Sequence, residues 1–140
     1  MALLLAVTPV SAYAMEITPD NLAECETELL SSINEKRIEA GAAPFTYNER
    51  LHSCAEIRAV EAQVMWSHTR PDGTPWWSAC DICYGEALGK KFRNTDDLLE
   101  KWMESEAHRL TILEPRYHTA AVSIKIADDS KAYVAIELGL

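Results

Sequence analysis

Residues 120–138 read AAVSIKIADDSKAYVAIEL, and this stretch decides the fold class. Its first half shows the period of two that is typical of a half-buried β-strand, with apolar side chains at Ala120, Val122, Ile124 and Ile126. Asp128-Asp129-Ser130 supplies a turn, and the chain returns from Tyr133 to Leu138 in residues that favour strands. We therefore predict an antiparallel β-hairpin.

Three helices are predicted upstream of this hairpin. The first begins at Thr18-Pro19-Asp20, with Thr18 as N-cap, and ends at Gly41; its apolar face carries Leu22, Cys25, Leu29 and Ile33. Asn48 is the predicted cap of the second, whose buried face carries Leu51, Cys54, Ala55, Arg58, Ala62 and Met65. The third starts with Thr95 as N-cap and runs to about Leu110. Residues 85–89 are too few to assign by periodicity.

Helices followed by a hairpin indicate an α+β domain, in which helices cover an antiparallel sheet. With 140 residues, 48% of them hydrophobic, the chain has enough material for one domain with a true core.

Residues 1–14 contain no charge, and an apolar run leads to the small-x-small pattern Ala12-Tyr13-Ala14. This pattern predicts a signal peptide, followed by a single domain at residues 15–140. The usual basic start is missing, which fits translation from upstream of Met1 or a weak signal; the alternative is a buried terminal helix. The run is shorter than the ~20 residues that cross a bilayer, so we expect no transmembrane segment.

The four cysteines, Cys25, Cys54, Cys80 and Cys83, all follow residue 14, and an even number in an exported chain favours disulfides. Three pairings are possible. We favour Cys25 with Cys54, because both fall on predicted helices, which leaves Cys80 and Cys83 as a local bridge. A redox centre is the alternative for Cys-x-x-Cys, but here the motif does not open a helix after a strand.

The net charge of −9 repels a phosphate backbone, and no basic run interrupts it. We therefore expect no binding to nucleic acid.

The candidate functional segment is Trp66-Ser67-His68-Thr69-Arg70-Pro71-Asp72-Gly73. It leads into a loop rich in proline and turn residues, and such loops often carry function. His108 also lies beside a predicted helix end, and Glu86 stands between two glycines. Two imidazoles and one carboxylate match an open zinc site, although each histidine can instead make an ordinary hydrogen bond. The nearby Trp66, Trp76 and Trp77 are predicted to form either the floor of a ligand groove or the lid of a core.

Several motifs occur here in a fixed order: Leu29-x-x-x-Ile33-Asn34-x-x-Arg37, Ser67 to Gly73, Gly85-Glu86, Trp102-x-x-Ser105-x-x-His108-Arg109-x-x-Ile112-Leu113, and Tyr133 to Gly139. Over residues 26–139 the chain resembles the bacterial branch of the CAP superfamily, which includes cysteine-rich secretory proteins, antigen 5 and plant pathogenesis-related proteins.

The resemblance implies a three-layer α-β-α sandwich with a central antiparallel sheet and a surface cavity. In that cavity His68, Glu86 and His108 would converge and hold a divalent metal such as zinc. The family often has a second glutamate where this chain has Ser105, flanked by Glu104 and Glu106, so any of the three is a candidate for the fourth position. The chain also departs from the family pattern at Ala87 and at residues 121–124.

We favour a secreted or envelope-attached binding module, a monomer or weak dimer, for a lipid, glycan or envelope partner. The alternative is a metal-assisted hydrolase, peptidase- or esterase-like, with zinc on His68 and His108 and with Glu86 or Glu104 as general base.

Overall fold

A computed structural model describes residues 15–140; the predicted signal peptide, residues 1–14, lies outside them. The helices are α1 (Leu22–Glu39), α2 (Glu49–Val64), α3 (Thr95–Glu104) and α4 (Glu106–Ile112). The strands are β1 (Thr46–Tyr47), β2 (Gly85–Lys90), β3 (Thr119–Ile126) and β4 (Ala132–Gly139), and a short 3-10 helix spans Trp76–Ala79. In the described range, no helix is both long and apolar enough to span a bilayer.

The four strands form one sheet in the order β1-β3-β4-β2. The predicted hairpin is confirmed, since β3 and β4 pair antiparallel from Thr119 opposite Gly139 to Ile126 opposite Ala132. Residues 85–89 were too few to assign from the sequence; with Lys90 they form β2, which pairs antiparallel to β4. β1 pairs parallel to β3, so the sheet is mixed rather than wholly antiparallel. This two-residue strand joins α1 to α2 and runs in the same direction as β3.

Helices cover both faces of the sheet, which confirms the three-layer sandwich. One face packs large apolar side chains, among them Val122 and Ile136, against α1, α3 and α4. The other face carries small side chains, Ala121 and Ala135, toward α2. The facing residues of α2 include Ala55 and Ala59, so this helix approaches the sheet closely.

The polar residues of the α1 motif hold the surrounding loops. Asn34 exchanges two hydrogen bonds with the backbone of Phe45. Arg37 is fully buried, and it donates hydrogen bonds to backbone carbonyls of Ala43, Ile112, Glu114 and Tyr117. A buried guanidinium is tolerated here because these carbonyls satisfy its donors.

Two predicted helix starts were wrong by a few residues. Helix α1 begins at Leu22 rather than at Pro19, because Asn21 accepts a hydrogen bond from the Thr18 N–H and closes a turn there. Helix α3 is capped by Asn94, whose side chain accepts from the Asp97 N–H at 2.8 Å, and Thr95 is its first residue.

The predicted Asn48 cap of α2 is confirmed, with 3.0 Å from its side-chain oxygen to the Leu51 nitrogen. The third helix does not run unbroken to Leu110. Ser105 has an extended backbone and separates α3 from α4. Arg109 donates to the Met103 carbonyl at 2.9 Å, which satisfies an acceptor that the break exposes.

The predicted disulfide pairing was wrong. Cys54 is bonded to Cys80, with 5.7 Å between their Cα atoms, while Cys25 and Cys83 are buried thiols within the described chain. Cys25 packs in the core between the sheet and α1, whereas Cys54 packs in the cluster beneath α2. The sheet therefore separates the two cysteines that we expected to be joined.

Candidate functional site

His68 opens the loop that follows α2. The loop folds back on itself, because Trp76 donates its backbone N–H to the His68 carbonyl and Arg70 donates to the Thr74 carbonyl. Gly73 makes the turn with a φ of +86°, a value that favours glycine. None of the loop residues is buried, and the His68 side chain is 55% exposed. The predicted loop is irregular as far as Pro75, and the short 3-10 helix Trp76–Ala79 then ends it.

Glu86 lies on β2 directly beneath this histidine. Its Oε1 is 2.8 Å from His68 Nδ1, and its Oε2 is 2.7 Å from Arg58 Nε. Burial alone would raise the pKa of Glu86, but the hydrogen bonds from His68 and Arg58 outweigh that effect and lower the pKa to about 2. The carboxylate is therefore ionised and orients the Nδ1 side of the exposed imidazole.

Arg58 connects this carboxylate to the loop. The guanidinium is fully buried; besides Glu86, it binds the Ser67 carbonyl at 2.8 Å and Glu61 at 2.7 Å. Glu61 in turn accepts hydrogen bonds from Arg70 on the loop. This cluster of charged side chains fixes both ends of the segment that carries His68.

Glu137 on β4 is a second acid beside Glu86, and sequence reasoning missed it. The two glutamates are register partners on neighbouring antiparallel strands, so their side chains share the face toward α2. Glu137 is fully buried, and neither carboxylate oxygen has a hydrogen-bond donor among the described residues. Burial, then the nearby charge of Glu86, raises the pKa of Glu137 well above 4.5. Glu137 is therefore the protonated member of the pair. A charged residue within the apolar run from Tyr133 to Leu138 was the signal for it.

His108 stands on α4 and is half-buried. Burial and then the charge of His68 lower its pKa. Of the three candidates for the fourth position, Ser105 is half-buried at the break between α3 and α4. Glu104 and Glu106 are exposed, and Glu104 lies 3.4 Å from Lys101.

The proposed metal ligands are only partly assembled. In residues 15–140, the only three His, Cys, Asp or Glu side chains whose ligand atoms all lie within 4.8 Å of one another are Cys54, Cys80 and Cys83. Glu86 already binds Arg58 and His68, so it fits the role of an acid that orients a metal-binding histidine better than that of a ligand. Of the three residues that the resemblance implies as ligands, His68 and His108 are the two that Arg58 does not bind.

The three tryptophans differ in their burial. Trp76 is half-buried and packs on the cluster that contains Leu51 and Cys54, as a lid would. Trp66 and Trp77 are exposed, and Lys90 lies over the ring of Trp66 at 4.5 Å.

The other two histidines lie outside the cluster. His52 forms a hydrogen bond with Glu26 at 2.9 Å, and Glu26 also accepts from the backbone of Ile124. His118 is exposed just before β3, which β4 separates from β2.

The protein is thus an α-β-α sandwich in which a buried acid lies beneath a loop that carries a histidine, and these features place it in a class that can be compared with known families. The sequence profile of the cysteine-rich secretory protein family, the CAP domain, matches residues 30–137. The chain belongs to this family, as its ordered motifs indicated. A relative is the Bacillus subtilis (strain 168) protein YkwD, described as uncharacterized, which is 25% identical over 107 residues. That match covers 71% of this chain but only 42% of YkwD.

Solved structures show the same fold. An outer surface protein from Borrelia burgdorferi superposes with a TM-score of 0.74 at 16% identity, covering 90% of this chain and 97% of that one. An extracellular SCP-domain protein from Bacillus anthracis gives 0.73 at 15% identity, covering 91% of this chain and 45% of that one. At these identities the likeness concerns the fold alone.

Proposed function

We propose that this chain is an exported binding module for a lipid, a glycan or another envelope component, with His68 and His108 able to hold a divalent metal such as zinc. The observation that carries the proposal is the state of Glu86. Both of its oxygens are engaged by Arg58 and His68, and its pKa is about 2. Such a carboxylate orients a neighbour well but accepts a proton poorly near neutral pH.

The same observation makes the hydrolase alternative weaker. A general base needs a pKa close to the working pH and an oxygen free to face the attacking water. Glu86 lacks both properties. Glu104, the other candidate base, has a side chain that is 57% exposed beside Lys101, which places it in water rather than in a closed site.

The groups of this site that would bind a metal are the imidazoles of His68 and His108. Glu86 holds Nδ1 of His68, which leaves Nε2 as the nitrogen that can bind an ion. The lowered pKa of His108 favours the neutral imidazole that a metal requires. A bound zinc ion would supply a Lewis-acidic positive charge on an otherwise acidic domain.

Export is supported by the apolar residues 1–14 and by relatives named as outer-surface or extracellular proteins. We propose that the mature chain begins near Met15 and acts at the cell envelope or outside it.

The proposal is tested with the domain of residues 15–140 in a thermal melt with and without zinc. Zinc should raise the melting temperature of the wild type, because it binds only the folded state. His68→Ala combined with His108→Ala should abolish the rise, while His118→Ala, an exposed histidine two strands away from β2, should keep it. A full rise in the double variant would remove the metal site.

The same proteins are then sedimented with phospholipid vesicles and with insoluble peptidoglycan. Binding to one of the two identifies the ligand class, and the double variant should lose it. If the wild type stays in the supernatant with both, the binding function is contradicted even where zinc binds.

A further inference from the structure

A third sulfur lies beside the disulfide. The Sγ atoms of Cys54, Cys80 and Cys83 all lie within 4.8 Å of one another, although only Cys54 and Cys80 are bonded. A disulfide is broken and reformed by a thiolate that attacks one of its sulfurs. The arrangement therefore places a nucleophile of the right chemistry next to its target.

The three sulfurs differ in their access to water. Cys54 and Cys83 are buried in one small apolar cluster with Leu51 and Ala121. Cys80 is only half-buried; like Cys54, it borders a depression that is also lined by Arg50, Ser53, Ser78 and Asp81. A bond between Cys54 and Cys83 would stay inside the cluster, whereas a thiolate leaving from Cys80 would be solvated.

We propose that these cysteines form a thiol–disulfide exchange site, in which Cys83 attacks Cys54 and releases Cys80 as a surface thiol open to covalent modification. Cys83 gives its proton to water, and its thiolate forms a bond to the Cys54 sulfur. The bond from Cys54 to Cys80 breaks, and its electron pair leaves with Cys80, which takes up a proton. One thiol and one disulfide stand on each side, so no outside oxidant or reductant is needed.

The fold tolerates this exchange, because other contacts hold residue 80 in place. Asp81 next to it forms an ion pair with Arg50 of α2. Ser78 accepts a hydrogen bond from Arg70 at 3.1 Å, and Arg70 is itself paired with Glu61 of α2 at 2.7 Å. The loop thus stays on α2 through polar contacts. Meanwhile the covalent link to Cys54 moves from Cys80, at the end of the loop, to Cys83, two residues before β2.

The surroundings of Cys83 keep the exchange slow. Burial is the main cause that raises the pKa of Cys83, and the negative charges of Glu86 and Asp81 act in the same direction. Because only the thiolate attacks, the raised pKa of Cys83 lowers the rate of exchange at neutral pH. The small fraction of Cys83 that is ionised therefore limits the rate at which Cys80 is released and modified.

The test is native-state labelling with a water-soluble maleimide, in a Cys25→Ser background that removes the remote thiol. Peptide mapping should find the label on Cys80 and a new disulfide between Cys54 and Cys83. Adding Cys83→Ser should reduce labelling of Cys80 to background, since the disulfide then has no internal attacker. Circular dichroism establishes that each variant is folded.

Absence of label on Cys80 in the Cys25→Ser protein, or equal labelling after Cys83→Ser, would overturn the proposal. Label on Cys83 with the original disulfide intact would overturn it too. A second variant guards against misfolding: Cys80→Ser, refolded with oxidised glutathione, should join Cys54 to Cys83. Two free thiols in that protein would show that these sulfurs cannot bond.

Discussion

At the scale of single residues, the buried pair Glu86 and Glu137 accounts for much of the character of the site. Adjacent carboxyl groups in a nonpolar setting do not both ionise, because like charges repel most strongly where water is excluded. Of these two glutamates, only Glu86 is bound by Arg58 and His68, so the negative charge settles there. Glu137 keeps a proton that it can donate toward its neighbour.

This asymmetry predicts how stability depends on pH. The pKa of Glu137 is raised in the folded chain, so its contribution is fully present below 4.5 and is lost as pH rises toward the folded pKa. Glu137→Gln is neutral at every pH and still donates a hydrogen bond. As pH rises above 4.5, the free energy of unfolding of the variant should therefore increase relative to that of the wild type, by up to about 1.4 kcal/mol per pH unit.

Urea unfolding at several pH values between 4 and 8 measures the difference. Glu104→Gln, which changes an exposed glutamate, is the matched control and should follow the wild type. A Glu137→Gln curve parallel to the wild type would mean that Glu137 is already ionised in the fold.

How much of the candidate site was predictable differs from residue to residue. Short motifs identified His68, Glu86 and His108, because turn residues, glycines or a helix end lie beside them and because the motifs follow one another in a fixed order. Arg58 was placed on the buried face of α2, but its partner Glu86 was not foreseen, since 28 residues separate the two. Glu137 was hidden because strand patterning treats an isolated polar position as an outward one.

At the scale of elements, alternation of apolar and polar residues predicted the strands whose faces are uniform, and it did not identify the short strand. The β3-β4 hairpin alternates clearly, whereas β2 contains two glycines and is buried at Gly85, Glu86 and Leu88 alike. The break at Ser105 could not be seen in the sequence, because the helical pattern continues through Arg109, four residues after Ser105. Arg109 satisfies the carbonyl of Met103 that the break frees.

Gly89 on β2 is a place where packing alone decides the residue. A Cβ there would collide with the Cδ1 of Leu98 on α3, and it would lie 3.1 Å from the ring of Phe92. Gly89→Ala should therefore destabilise the domain by about 1–3 kcal/mol, the usual cost of overpacking. Chemical denaturation measures the loss.

Leu98, the residue with which the added Cβ would collide, supplies the control. In a Leu98→Ala background the obstructing methyl is gone, so Gly89→Ala should cost clearly less than in the wild type. Equal costs in both backgrounds would assign the effect to the strand backbone rather than to contact with α3.

At the scale of the whole molecule, the three layers explain why the disulfide was mispredicted. Sequence periodicity shows which residues of a helix are buried, but it does not show which face of the sheet the helix covers. Cys25 and Cys54 lie on buried helix faces as expected, and those helices lie on opposite sides of the sheet. Cys80 reaches Cys54 because the loop stays on the side of α2.

The disulfide is therefore the main covalent restraint on a segment with little core of its own. None of residues 65–81 is buried, and the loop is otherwise held by ion pairs and by Trp76. Reduction opens a link between residues 26 apart, which in the chain-entropy account lowers the free energy of unfolding by about 3.5 kcal/mol.

The measurement belongs in a Cys83→Ser background, where no internal thiol can replace the broken bond. Reduction should lower the urea midpoint, and hydrogen exchange should rise first in residues 66–80, because only ion pairs and the packing of Trp76 then oppose local opening. A protein that carries both Cys54→Ser and Cys80→Ser should show no further response to reductant. If exchange instead rose evenly across the sheet, the bond would be stabilising the whole core, and the loop with His68 would owe its position to the cluster around Arg58 alone.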